Sequence, residues 1–210
     1  MFRKALLTTA AAIAMFALSS VARADTITVV GNSTGSLSTA TVNCSFNSST
    51  NTVTFTVTNT SPFDARITGI GFDIGAGNIN GFTGSNVAGF TFSDGNLGNV
   101  PQFNGAVLDF GFTTGNSGNF NGGFPNDGIA PGQSLTFTVS GSGFSGMTDE
   151  QICQSIYLRF QRVGANGQGS DVGHGGNPSN PVPEPMTMLL FGTGLAGVAA
   201  RARRRKVAKS

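Results

Sequence analysis

The chain is poor in the residues that most often carry out chemistry. Its 210 residues include one histidine, two cysteines, one tyrosine and no tryptophan, and only 10% are charged. Two cysteines and one histidine cannot supply a zinc site of the Cys₂His₂ or Cys₄ type. Hydrolases with a serine or cysteine nucleophile need an adjacent base, which is usually histidine. We therefore predict a non-enzymatic protein with no metal site, no catalytic residue and no cofactor.

Basic residues are also scarce between residues 25 and 182. This part has three arginines, no lysine and nine acidic residues, so its formal charge is −6, although the whole chain is +2. The remaining basic residues lie at the two ends of the chain. Nucleic-acid binding needs a clustered basic face. Nucleic acid is therefore excluded as an expected partner.

The first 24 residues predict a signal peptide. A short basic start precedes an apolar stretch at 5–21, and Ala22 and Ala24 form a small-x-small site for signal peptidase. The alternative is a retained membrane anchor. Cleavage is favoured because the apolar stretch gives way at once to an alternating segment at 26–30. The exported chain is expected to begin at Asp25.

The composition of the exported part is typical of an all-β domain. Glycine, asparagine, serine and threonine dominate, with regularly spaced phenylalanines and few strong helix formers. Disorder is the alternative, but disordered segments lack large apolar groups of this kind. Period-two alternation predicts strands at 26–30, 39–46, 52–58, 66–74, 87–92, 106–112, 134–139 and 155–163.

These segments predict one antiparallel β-sandwich, immunoglobulin-like or jelly-roll-like, over residues 25–163. Asparagine, glycine, aspartate and proline fill the connections, as expected of turns. Thr148 is expected to cap a short helical turn with Glu150 and Gln151 in its first turn. Residues 164–181 are rich in glycine and asparagine, and they predict a flexible tether.

Cys44 and Cys153 both lie in the exported part. In an oxidising compartment an even pair of cysteines most simply forms one disulfide. The bond would close a loop of more than a hundred residues, for which chain entropy gives a stabilisation of about 4–5 kcal/mol.

No group of residues matches a known active site. Asp73, Asp94, Asp109 and Asp127 are candidates for paired glycosidase carboxylates only by elimination, and turn aspartates explain them better. The single histidine, His174, lies in the predicted tether and is expected to be solvated.

The segment 75–126 is less regular and is expected to form long loops. Six of its phenylalanines either belong to the core, which we favour, or are exposed and stack on sugar rings or a protein partner; these six are Phe82, Phe90, Phe92, Phe103, Phe110 and Phe112.

The carboxyl end predicts a short membrane anchor at 186–200. These 15 residues carry no charge, whereas a spanning helix normally needs about 20. Basic residues follow at once, which places 25–182 outside by the positive-inside rule; they are Arg201, Arg203, Arg204, Arg205 and Lys206. An inner-membrane-anchored precursor is expected.

Directly before this anchor stands Val182-Pro-Glu-Pro185. Together with the short apolar run and the arginine-rich end, it resembles the PEP-CTERM sorting domain of Gram-negative bacteria over residues 181–206. Pro183, Glu184 and Pro185 match the signature tripeptide one by one. The alternative is an ordinary tail anchor that happens to carry this tripeptide.

The resemblance implies processing by exosortase, a membrane-embedded cysteine protease-transpeptidase, near Pro-Glu-Pro. The mature form is then expected at the cell surface or in the extracellular matrix. Because the family is associated with exopolysaccharide and biofilm, the resemblance implies a structural or adhesive matrix role, with exopolysaccharide as a further partner. The alternative function is a carbohydrate-binding module for matrix polysaccharide.

Overall fold

The computed structural model describes residues 25–31, 37–75, 81–95, 97–103, 106–115 and 119–176. The predicted signal peptide, with Ala22 and Ala24, and the sorting signal at 182–210 lie outside these residues. The described parts form ten strands and one α-helix. The strands are β1 (Asp25–Gly31), β2 (Ser38–Asn47), β3 (Thr52–Asn59), β4 (Arg66–Phe72), β5 (Phe82–Gly84), β6 (Phe90–Asp94), β7 (Phe110–Thr114), β8 (Ser134–Gly141), β9 (Ile156–Val163) and β10 (Gly169–His174), and helix α1 (Asp149–Gln154) precedes β9.

All ten strands belong to one antiparallel sheet, in the order β5-β8-β3-β2-β1-β10-β9-β4-β7-β6. This confirms the predicted all-β class. It also corrects the expectation of two separate sheets, because Gly31 pairs with Gly173 and so joins β1 to β10. Glycine is needed there, since a Cβ on Gly173 would lie 2.6 Å from Cγ1 of Val29.

The two halves of this sheet face one another across a phenylalanine-rich core. The ring of Phe55 on β3 lies 4.5 Å from that of Phe72 on β4. Phe112 on β7 similarly lies 4.4 Å from Phe137 on β8. These strands are far apart in the sheet order, so the sheet must curl over on itself. Aromatic pairs of this kind add about 0.5–1.5 kcal/mol each beyond simple burial.

Strand β3 shows how the sequence produces this arrangement. Successive side chains of a strand point to opposite faces. Val53, Phe55 and Val57 are therefore completely buried in the core, while the threonines between them point outwards. The predicted strand at 52–58 is confirmed with nearly the same bounds.

The disulfide between Cys44 and Cys153 is present, with a Cα–Cα distance of 5.8 Å. It fastens α1 to β2, and the amide of Phe46 adds a second link by donating to Asp149 at 3.1 Å. The expected cap of α1 is also confirmed. The Thr148 hydroxyl accepts from the amide of Gln151, whose side chain accepts from the Thr148 amide.

The predicted boundary of the folded domain at residue 163 needs correction. Part of the expected tether forms β10, which pairs with β9 along its whole length. The sequence of β10 contains one β-branched residue, Val172, and three small residues at 169, 170 and 173. Its place is set by tertiary pairing rather than by local propensity, because small residues fit where β9 and β1 approach closely.

Loops form a second apolar layer on the outer face of β4, β7, β9 and β10. We call it the cover cluster, and it consists of Leu97, Val100, Leu108, Phe120, Tyr157 and Val172, all buried. It packs on glycines that leave room on the sheet. A Cβ on Gly71 would lie 2.5 Å from Leu108, and one on Gly111 would lie 2.6 Å from Leu97.

Candidate functional site

The four aspartates considered as catalytic carboxylates serve mainly as backbone caps. Asp73 and Asp94 each accept a hydrogen bond from a glycine amide. Asp109 is buried and accepts from the amide of Ile74 at 2.7 Å. Burial raises the pKa of the Asp109 carboxyl above its ordinary value, the Ile74 amide partly offsets this, and the charge of Asp73 raises it further. Asp127 ends a short 3₁₀ turn.

His174 is not solvated as the sequence predicted. It ends β10, and its ring lies 4.2 Å from that of Tyr157 and 6.0 Å from that of Phe103. Burial lowers the pKa of the imidazole below its ordinary value, while the charge of Asp73 partly offsets this. Both the lowered pKa and the aromatic neighbours favour the neutral form of the ring. Among the described residues, no group of three or more histidine, cysteine, aspartate or glutamate side chains is placed to hold a metal.

The six phenylalanines of the segment 75–126 that were considered above are chiefly core residues, as we favoured. Four of them are buried, and the remaining two, Phe92 and Phe103, are partly buried against the core and the cover cluster. Two other phenylalanines among the described residues are exposed, and one of them, Phe124, lies within this segment. Phe124 is 60% exposed and Phe63 is 41% exposed. Neither had a sequence signal, because both lie in irregular segments without periodicity.

Arg159 occupies the middle of β9 on its outer face. It stands opposite Val172 of β10 and opposite Gly69 of β4. The residue is only 9% exposed. The other two arginines of the exported part both bind Asp64 at the surface. Arg159, by contrast, has no hydrogen bond or ion pair to the described residues, and its Nε is fully buried without a partner.

Three further buried polar atoms, on β4, β7 and β9, have no hydrogen-bond partner in the described chain. They are Oγ1 of Thr68, Oγ1 of Thr113 and Oε1 of Gln161. Thr113 faces Gly69 from β7, so it lies in the same cross-strand row as Arg159. Gln161 follows Arg159 by two positions on β9 and shares its face. Burial lowers the pKa of the Arg159 guanidinium. We call these four residues the Arg159 cluster.

A second feature lies on the outer face of β1, β2, β3 and β8. Apart from Val30, which faces outward opposite Thr39, the outward positions there are threonine, serine or asparagine. We call this the hydroxyl face; it consists of Thr26, Thr28, Thr41, Asn43, Ser45, Asn47, Thr52, Thr54, Thr56, Thr58, Ser134, Thr136, Thr138 and Ser140. Hydroxyl pairs join β3 to β8, including Thr56 with Thr136 at 2.9 Å and Thr58 with Ser134 at 2.7 Å.

The hydroxyl face carries no charged side chain, which is unusual for so large an exposed area. Protein surfaces are commonly about 25–35% charged. Its rows repeat about every 6.7 Å along the strands and about every 4.8 Å across them, as strand geometry requires. The sequence already showed the threonine alternation of β3 but not that four strands would align it into one surface.

Comparison with known proteins adds one finding about the carboxyl end. A model of the PEP-CTERM protein-sorting motif matches residues 181–205. No curated protein and no solved structure matches the chain. Within the part that the structure describes, no helix has the length and apolar character needed to cross a membrane.

The matched segment contains Pro183, Glu184 and Pro185, the residues on which the sequence resemblance rested. Such a motif implies export, a membrane-anchored precursor and processing by exosortase on the way to the cell surface. The protein therefore carries a PEP-CTERM sorting motif at its carboxyl end, preceded by a disulfide-closed all-β domain.

Proposed function

We propose that this protein is a non-enzymatic component of the cell surface or extracellular matrix, where it adheres to exopolysaccharide of the biofilm. The single observation that carries the proposal is the sorting motif at 181–205, because it directs the domain to the surface. Signal peptidase would release residues 1–24, and exosortase would act near Pro-Glu-Pro.

The hydroxyl face supports the adhesive role. Polysaccharides present dense hydroxyl groups, which both donate and accept hydrogen bonds, as threonine and serine do. Contact between two uncharged surfaces avoids the large cost of desolvating ions. Each exchanged hydrogen bond contributes little, about 0.5–1.5 kcal/mol, so adhesion would depend on many contacts along an extended chain.

The alternative, a carbohydrate-binding module that uses the aromatics of 75–126, has narrower support than the sequence indicated. The buried phenylalanines at 82, 90, 110 and 112 cannot stack on a sugar without unfolding their surroundings. Phe124 remains suitable for stacking on a sugar ring, since more than half of its surface is exposed.

Charges placed on the hydroxyl face should reduce adhesion. We expect Thr54→Lys with Thr136→Lys to lower, by about threefold or more, the fraction of protein that sediments with purified neutral matrix polysaccharide, because each ammonium must be desolvated on contact. Both positions are exposed, so the fold should survive. The control is Ala165→Lys with Asn166→Lys, which adds the same charge in the exposed β9–β10 turn.

The measurement uses the oxidised full-length chain in mild detergent. Equal sedimentation of both double variants and the wild type would contradict adhesion through the hydroxyl face. Loss of sedimentation in the control alone would also contradict it, since the turn would then be the contact surface.

A further inference from the structure

Arg159 presents an electrostatic problem that the described fold does not solve. Its guanidinium stays protonated at every ordinary pH, so the lowered pKa does not make the group neutral. A charge that is nine-tenths buried is normally paired with an opposite charge. Arg66 and Arg162 follow this rule with Asp64, whereas Arg159 has no hydrogen-bond or ion-pair partner in the described chain.

The surroundings of Arg159 are polar in a way that suits a ligand. Thr113 lies across Gly69 from Arg159, and Phe120 packs over Gly69, since a Cβ there would lie 3.2 Å from its ring. The buried oxygens of Thr68, Thr113 and Gln161 are likewise unsatisfied. A buried polar atom without a partner costs about 1–3 kcal/mol, so four such groups in one region call for a missing partner.

The chemistry of the cluster defines that partner. The planar fork of a guanidinium matches a carboxylate through two parallel hydrogen bonds. Threonine hydroxyls and a glutamine amide oxygen suit the hydroxyl groups of a ligand. The apolar edge of Tyr157, which precedes Arg159 by two positions on the same strand face, borders the site together with Phe120.

We propose that the Arg159 cluster binds a carboxylate carried by a hydroxylated ring, that is, a sugar acid. Arg159 anchors the carboxylate, and Thr68, Thr113 and Gln161 bind ring hydroxyls. The identification of a matrix polysaccharide as the source of this sugar rests on the proposed function, and it requires that the polymer carry acidic units besides the neutral stretches that the hydroxyl face contacts. The site itself rests only on the buried, unpartnered groups.

The first test measures thermal unfolding of the oxidised full-length chain with sodium glucuronate, sodium acetate, glucose or inorganic phosphate. Glucuronate should raise the Tm by about 2 °C or more at saturating concentration. Acetate, which lacks hydroxyl groups, should raise it less, and glucose should leave it unchanged. A glucuronate trimer that binds more tightly than the monomer would identify a polymer as the source, whereas equal binding would identify a free sugar acid.

Arg159→Met gives the sharpest variant. Methionine keeps most of the volume and removes an unpaired buried charge, so the Tm of the ligand-free protein should stay equal or rise. The shift caused by glucuronate should disappear. Arg159→Lys keeps the charge but loses the fork, and we expect at least about tenfold weaker binding.

Arg162→Met is the matched control, because Arg162 is a more exposed arginine paired with Asp64. It should keep the full glucuronate shift. The proposal is overturned if phosphate stabilises as well as glucuronate does, or if no anion shifts the wild-type Tm. It is also overturned if Arg159→Met lowers the ligand-free Tm and keeps the shift.

The two proposals fail separately. If Thr54→Lys with Thr136→Lys leaves sedimentation unchanged while glucuronate still shifts the Tm, the adhesive role of the hydroxyl face is wrong and the Arg159 site stands. If sedimentation responds as expected and the glucuronate shift is absent, the Arg159 site is wrong and the adhesive role of the hydroxyl face stands.

Discussion

Replacing Cys44 and Cys153 together by alanine is expected to lower the Tm of the domain by about 10 °C. The bond joins residues 109 positions apart. For a loop of about 100 residues, the chain-entropy model gives a stabilisation of about 4.7 kcal/mol, and removing native disulfides typically costs about 2–5 kcal/mol. In a domain of this size, 1 kcal/mol corresponds to roughly 2–4 °C. Both cysteines are completely buried, so the substitution also leaves a small cavity.

Reductant provides the control for this prediction. Dithiothreitol should bring the Tm of the wild type close to that of the double variant and should leave the double variant unchanged. Calorimetry or circular dichroism at fixed scan rate measures both values. An unaltered Tm after complete reduction would mean that the bond contributes nothing to the fold.

Gly111→Ala is expected to destabilise the domain by about 3 kcal/mol, which is large for the addition of one methyl group. The new Cβ would overlap the backbone oxygen of Ile70 and lie 2.6 Å from Leu97. The backbone of the neighbouring strand β4 cannot move aside cheaply, because β4 is paired on both of its edges. Urea denaturation gives the change in the free energy of unfolding.

Gly71→Ala separates side-chain crowding from backbone crowding. There the three atoms nearest to the new Cβ all belong to the side chain of Leu108. The double variant Gly71→Ala with Leu108→Ala should therefore be less destabilised than the sum of its single variants, by about 1 kcal/mol or more. The double variant Gly111→Ala with Leu97→Ala should recover much less of the lost free energy of unfolding than the Gly71 and Leu108 pair does, because the overlap with the backbone oxygen of Ile70 remains. Unfolding free energies of Gly111→Ala within about 0.5 kcal/mol of the wild type would refute this role of the glycine.

Local patterns in the sequence predicted the regular part of the fold well. The alternating segments at 26–30, 39–46, 52–58 and 134–139 are all strands, because each has one apolar face and one polar face. The cap at Thr148 and the pairing of Cys44 with Cys153 also follow from local or compositional rules. These features depend on chemistry that a short window of residues contains.

Features set by distant contacts were not predictable in this way. β10 has almost no strand propensity, and it is a strand because β9 and β1 flank it. Its glycines had instead indicated a tether, which also led to the wrong expectation that His174 is solvated. The pairing of Gly31 with Gly173 likewise turned two expected sheets into one.

Of the candidate sites, one was predictable from local sequence and the other depends on distant contacts. The sorting motif is a contiguous string of residues, so the sequence alone identified it, and the family model at 181–205 agrees. The Arg159 cluster draws on β4, β7 and β9, and nothing in the sequence distinguishes Arg159 from the half-buried arginines at 66 and 162. Only the burial of Arg159 and its lack of a partner single it out.

The central claim is that a disulfide-closed domain is exported and then processed at its carboxyl sorting motif. Intact-mass measurement of native protein, recovered separately from membranes and from the surface or medium, tests this most directly. The account predicts a surface form that begins at Asp25, ends near Pro-Glu-Pro and is two hydrogens lighter than its reduced form. Native protein that keeps both Met1 and Ser210, with free thiols at Cys44 and Cys153, would contradict it.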